Sequence, residues 1–172
     1  ISYIVKKNKI KLIIPGSDEE ALILCKNRSK FEKGGIKIAS TNLKNLKIFS
    51  NKELTYKMLE KNKIPVGKWM VAQDFKELKE KIKTFFKKSN YVVVKPCISR
   101  GGRNVFTISK SLTKEKKNEN QREITVGYKS FEKKYLKSFK KNFPVIVMER
   151  LKGPIFDFDM LLVKFIPKST KI

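Results

Sequence analysis

The chain has 172 residues, 40% of them hydrophobic, and 41 Lys and Arg against 16 Asp and Glu give it a formal net charge of +25. It is long enough to bury one sizeable core, or a small domain and part of another, but has no signal-peptide pattern and no apolar run able to span a bilayer; a soluble, cytoplasmic protein is expected. The excess charge is lysine spread along the chain with abundant Asn and Ile, as biased A/T-rich coding produces, which argues against a dedicated nucleic-acid binder while favouring anionic ligands in general.

In chain order, IKLIIP (10–15) reads as a short strand ending at a Pro-Gly turn. GSDEEALILCKNRSKF (16–31) reads as a helix, with Ser17 as N-cap and Glu20 three residues on, ended by Gly34-Gly35. IKIAS (36–40) is a second strand, so this region predicts a parallel strand–helix–strand unit. SNKELTYKMLEKNKI (50–64) predicts a helix capped by Ser50, with Leu54, Met58 and Leu59 on one face and Pro65 as its stop. KWMVA (68–72) is a strand, and DFKELKEKIKTFFKKS (74–89) an amphipathic helix capped by Asp74 with Leu78 and Ile82 inward. YVVVK (91–95) and VFTIS (105–109) are strands around a glycine loop. The charged stretch 111–123 is expected to be poorly ordered. SFEKKYLKSFKKNF (130–143) is helical, with aromatics at 131, 135 and 139. VIVMERL (145–151) and IFDFDMLLVKF (155–165) are strands joined by a tight turn at 152–154.

The chemistry concentrates in YVVVKPCISRGGRNVF (91–106). A lysine at the end of a buried strand requires an anion, because an unpaired buried ammonium is costly. The loop that follows, Ser99, Arg100, Gly101, Gly102 and Arg103, can turn backbone N–H groups toward one point and flank them with guanidinium groups. Phosphate suits both features, although an ordinary hairpin with a snorkelling lysine fits these residues alone equally well. No GKS or GKT opens a helix here, so this is not a Walker loop. Cys25 and Cys97 lack a CxxC spacing and the chain has no histidine, which leaves two buried free thiols.

Taken in order, PGSDEEALIL, FEKGGIKIA, SNKELTYKMLEKNKIPVGKW, YVVVKPCISRGGRNVF and VIVMERLKGPIFDFDML resemble the ATP-grasp superfamily. The resemblance is nearest to its carbamoyl-phosphate-synthase-like and carboxylate-amine ligase members, and covers nearly the whole chain outside 111–143. It implies an α/β chain of ATP-grasp type in three parts. Residues 1–48 would end a Rossmann-like preceding domain, 49–143 would form the N-terminal ATP-grasp subdomain with 111–123 as an insertion, and 144–172 would begin the second subdomain.

Residue by residue, the resemblance implies that Lys52 and Lys95 reach the nucleotide phosphates. Ser99, Arg100, Gly101, Gly102 and Arg103 would cover them, with Asn104 where the family usually has another glycine; Asn tolerates the left-handed backbone such a site needs. Val147, Met148, Glu149, Arg150 and Leu151 would meet the adenine edge, with Glu149 adding polar recognition. The family's ribose-binding glutamate is replaced by Ile155, which leaves Asp157 to substitute. ATP is the implied cofactor, with Mg2+ held by ligands expected beyond the end of a C-terminally truncated chain. A small carboxylate is the implied substrate, activated as an acyl phosphate, and an incomplete subdomain suggests self-association. Other readings remain: a nucleotide-binding module or inactive remnant without turnover, and a basic nucleic-acid-binding protein whose affinity would fall steeply with salt.

Overall fold

A computed structural model describes residues 2–99, 103–113, 116–117 and 123–153. The first 50 residues form a small parallel unit. Helix α1 (Ser2–Lys7), unforeseen in the sequence, leads into strand β1 (Leu12–Ile13), and helix α2 (Asp18–Lys26) crosses toward helix α3 (Arg28–Lys33) and strand β2 (Lys37–Ile38). β1 and β2 pair in parallel, as expected, with Ile13 opposite Ile38. Ser17 caps α2 by accepting from the Glu20 amide. The single helix expected over 16–31 is instead broken at Asn27, whose side chain donates back to the Ile23 carbonyl. The break turns Arg28 onto the carbonyls of Ile38, Ser40 and Thr41, locking the second helix to the end of β2. Gly35 then takes a φ of +73°, a left-handed turn natural to glycine.

Helix α4 (Leu43–Phe49), also unforeseen, runs into helix α5 (Lys52–Lys61). Here one expectation is corrected. Ser50 closes α4, and the cap of α5 is Asn51, whose side-chain oxygen accepts from the amides of Glu53 and Leu54. Asn caps as well as Ser, and the intervening α4 shifts the start by one residue. Of the three apolar residues expected on one face, Met58 and Leu59 are half-buried and Leu54 is exposed, while Tyr56 packs against the sheet. The helix ends at Lys61, ahead of Pro65, with Lys63 at a φ of +57°.

The rest of the described chain builds one mixed sheet. Its strands are β3 (Trp69–Ala72), β4 (Tyr91–Pro96), β5 (Val105–Ser109), β6 (Lys116–Lys117), β7 (Glu123–Gly127) and β8 (Val145–Glu149), in the order β3-β8-β4-β5-β7-β6. Between β3 and β4 lies helix α6 (Phe75–Phe86), capped by Asp74 through the Glu77 amide. Within the stretch 111–123, expected to be poorly ordered, Lys116 and Lys117 form the short strand β6 and pair with Thr125 and Ile124 of β7. The 130–143 helix is present but irregular. A short turn, α7 (Tyr128–Ser130), continues as a π-helical turn at Phe131–Tyr135 and a 3₁₀ turn at Ser138–Asn142. Strand β8, expected to open a second subdomain, sits between β3 and β4 in this same sheet. The second strand expected at 155–165 lies outside the described residues.

Strand alternation divides the sheet into two faces. One carries Ala72, Val92, Val94, Phe106, Ile108, Val145 and Val147, and buries them under Leu78 and Ile82 of α6 and under Phe131 and Phe139. Phe106 lies edge-on to both of those rings, so the irregular helical segment is held by aromatic packing rather than by regular helix geometry. The opposite face carries Trp69, Val71, Val93, Ile146 and Met148, packed with Tyr56 of α5 and Cys97. Both cysteines are free and buried. No described helix is long and apolar enough to cross a membrane.

At the far end of β7 the Leu112 carbonyl lies where a side chain at Gly127 would begin. Gly127→Ala is expected to force that loop away and lower stability by about 1–3 kcal/mol, read as an earlier urea-unfolding midpoint.

Candidate functional site

Two lysines far apart in sequence meet where β4 leaves the sheet. Register places Lys95 opposite Ile146, on the face that α5 covers. Its Nζ donates to Tyr56 Oη at 3.0 Å and stands 5.3 Å from the centre of the Tyr56 ring. Lys52, at the start of α5, donates from Nζ to the carbonyl and hydroxyl oxygens of Ser99 at 2.8 and 3.0 Å. Helix α5 brings these together because Lys52 and Tyr56 are four residues apart, on one face. The helix is itself anchored by the Lys52 amide, which donates to the Cys97 carbonyl at 2.8 Å.

The electrostatics of this pair are unbalanced. Burial, and then the nearby charge of Lys95, push the Lys52 ammonium below the ordinary lysine value of 10.5. The described ion pairs join Arg28 to Glu32, Lys57 to Glu53, Lys79 to Glu132 and Lys81 to Glu77. Among the described residues, then, neither Lys52 nor Lys95 pairs with a carboxylate; Asp18 helps Lys52 only as a more remote charge. Cys97 supplies no counter-charge, because burial raises its thiol to about 11 and leaves it protonated at neutral pH. The arrangement concentrates positive charge at one point and would be relieved by an anion there.

Beyond Ser99 the expected loop residues Arg100, Gly101 and Gly102 lie outside the described residues, as does Asp157. The described chain resumes at Arg103, which is exposed. Asn104 has a φ of +58°, the left-handed conformation anticipated for it, and its side chain donates to Asn142 at 3.1 Å. Ser99, Arg103, Asn104 and Asn142 border a cleft of about 330 Å3 whose other wall is the first turn of α2, with Asp18 and Glu19. A roomier cavity of about 470 Å3 lies among Ile4, Leu12, Ile14 and Ile23; its apolar lining does not suit a phosphate.

The residues from Val147 to Leu151 divide by the sheet's geometry. Val147 is fully buried, and its position is laddered to Met70 on one side and Val94 on the other. Met148 shares the face of Lys95, and its Sδ accepts from Tyr56 Oη at 3.6 Å. Glu149 belongs to the other face. Its backbone N–H donates to the Lys68 carbonyl at 3.0 Å, and its carboxylate accepts the Lys68 N–H at 2.7 Å. Gly67 allows this approach, since a side chain there would press on Glu149 and Leu151. Arg150 and Leu151 lie past the ladder and are exposed. Among the described residues no group of three or more His, Cys, Asp or Glu side chains could hold a metal ion.

The sequence reading missed Tyr56. The signal available was its spacing of four from Lys52 on a predicted helix, which sets the two side chains together.

A family model described as YheC/D like ATP-grasp matches residues 40–166, well over half of the chain. No curated protein matches it.

The depressed Lys52 has a consequence for stability. A lysine whose folded value lies below its unfolded one costs stability while charged, and that cost disappears as pH rises through the interval up to 10.5. In urea unfolding, the stability of Lys52→Met relative to the parent chain is therefore expected to be greatest near pH 7 and to decline toward pH 10.5. A constant difference across that range would contradict it.

Proposed function

We propose that this chain, which belongs to the YheC/D-like ATP-grasp family, holds the triphosphate of ATP between Lys52 and Lys95 in an ATP-dependent ligase reaction. The observation that carries this reading is the convergence of two lysines that have no carboxylate partner among the described residues. Phosphate oxygens are the counter-charge that such a pair suits, because each ammonium retains donors for charge-assisted bonds.

In this reading Lys95 contacts the inner phosphates and Lys52 leaves Ser99 to share its charge with them. The stretch from Ser99 to Arg103 covers the phosphates. Adenine meets the backbone of Arg150 and Leu151, because the positions from Val147 to Glu149 are engaged in the sheet. Glu149, bonded to the Lys68 N–H, shapes that exit from the sheet. Asp157 is retained as the ribose partner. In this reading the N-terminal ATP-grasp subdomain extends through Glu149, a boundary supported by β8 lying in the same sheet as β3 and β4, and the second subdomain would begin after it. Residues up to about 48 belong to the preceding domain.

The proposed reaction is carboxylate activation. A substrate carboxylate oxygen attacks the γ-phosphorus, ADP departs, and a nucleophile then displaces phosphate from the acyl phosphate. The chain's part is positioning and charge stabilisation around the transferring group. ATP-grasp proteins in general bind ATP with Mg2+. The described residues offer no cluster to hold that ion.

Equilibrium binding of ATP, with and without magnesium, to this chain and to Lys95→Ala tests the reading. The substitution is expected to weaken binding by about tenfold or more, as loss of a charged hydrogen-bond donor does. Equal affinity of the two proteins, or no binding by either, would overturn it.

A further inference from the structure

We infer that Tyr56 is a positioning residue that holds the Lys95 ammonium in place for a nucleotide phosphate. The inference rests on the phosphate-binding reading of Lys95 given above. A lysine side chain is long and flexible, and one at a strand end needs a partner to fix its head. A carboxylate would fix it but would also neutralise it. The Tyr56 hydroxyl is a neutral acceptor: it takes one of the three ammonium donors and leaves two, with the full charge, for a ligand.

The hydroxyl is oriented for this task. Its own proton is donated to Met148 Sδ at 3.6 Å, which turns a lone pair toward Lys95 Nζ at 3.0 Å. The ring is held as well. It lies 5.5 Å from the Trp69 ring, at an interplanar angle of 47°, within the cluster that includes Val93, Ile146 and Met148. The ammonium stands at the hydroxyl edge of this fixed ring, 5.3 Å from its centre. Tyr56 therefore links the helix carrying Lys52 to the strand carrying Lys95.

A double-mutant cycle on the 172-residue chain tests this, with ATP binding at low salt read by the fluorescence of Trp69, the sole tryptophan. Tyr56→Phe keeps the ring and removes only the hydroxyl. It is expected to weaken ATP binding about three- to tenfold in the parent chain. In a Lys95→Met background the same substitution is expected to change affinity less than twofold, because the group it positions is gone. An equal loss in both backgrounds would mark Tyr56 as mere packing and overturn the inference. No loss in the parent chain, where Lys95→Met still weakens binding, would overturn it and leave the phosphate reading standing. If the parent chain binds no ATP, or Lys95→Met binds as the parent does, both fall.

Discussion

One backbone hydrogen bond, from the Lys52 amide to the Cys97 carbonyl, decides how the site is assembled. It joins the first residue of α5 to the chain just past β4. The helix then arrives with Lys52 beside Ser99 and Tyr56 beside Lys95. The other free amides of that first turn, those of Glu53 and Leu54, are satisfied by Asn51. The N-terminus of the helix thus has little left to offer an anion, and the attraction falls to the two side-chain ammonium groups. Their mutual repulsion is tolerated because the sheet, α5 and Ser99 fix where they stand.

The sheet supports this by keeping its two faces chemically separate. The face under α6 and the aromatic helical segment is wholly apolar at its centre, and so supplies the packing that holds β4 and β8 rigid. The face under α5 keeps the polar groups: Lys95, the Tyr56 hydroxyl and the Met148 sulfur. A shift of one residue in the pairing of β4 with β8 would exchange these sets and bury Lys95 among valines. The register that places Lys95 opposite Ile146 is therefore a functional constraint as well as a structural one.

The elements legible in the sequence were those with both a cap and a strong period. Helix α6 shows Asp74 before Leu78 and Ile82 and appears where expected, and α2 shows Ser17 before Ala21 and Leu24 and starts where expected although it ends early, at Lys26. Helix α4 escaped because it buries no residue and so presents no clear apolar face. Strand β7 escaped because the charged run before it obscured a short EITVG segment. The face of α5 was misjudged for a different reason: counting apolar residues favours Leu54 and Met58, whereas the docked residue is an amphipathic tyrosine whose hydroxyl serves a lysine. Lys95 stood out as a charge at the end of an apolar strand, whereas Lys52 was legible only through the resemblance of its surrounding motif. Their convergence depends on a tertiary contact that no local pattern encodes.

The reciprocal clip between Glu149 and Lys68 has a mechanical meaning. With the backbone N–H of one and the carboxylate it carries both fastened to the same neighbour, the end of β8 cannot rotate independently of the start of β3. Torsional freedom begins at Arg150 and continues through Gly153, whose φ of +119° only glycine adopts readily. A chain leaving the sheet here turns about four residues set against a fixed stop. These residues and the ones proposed to meet adenine are then the same short segment, so a base bound as proposed would restrict torsions that the sheet leaves free.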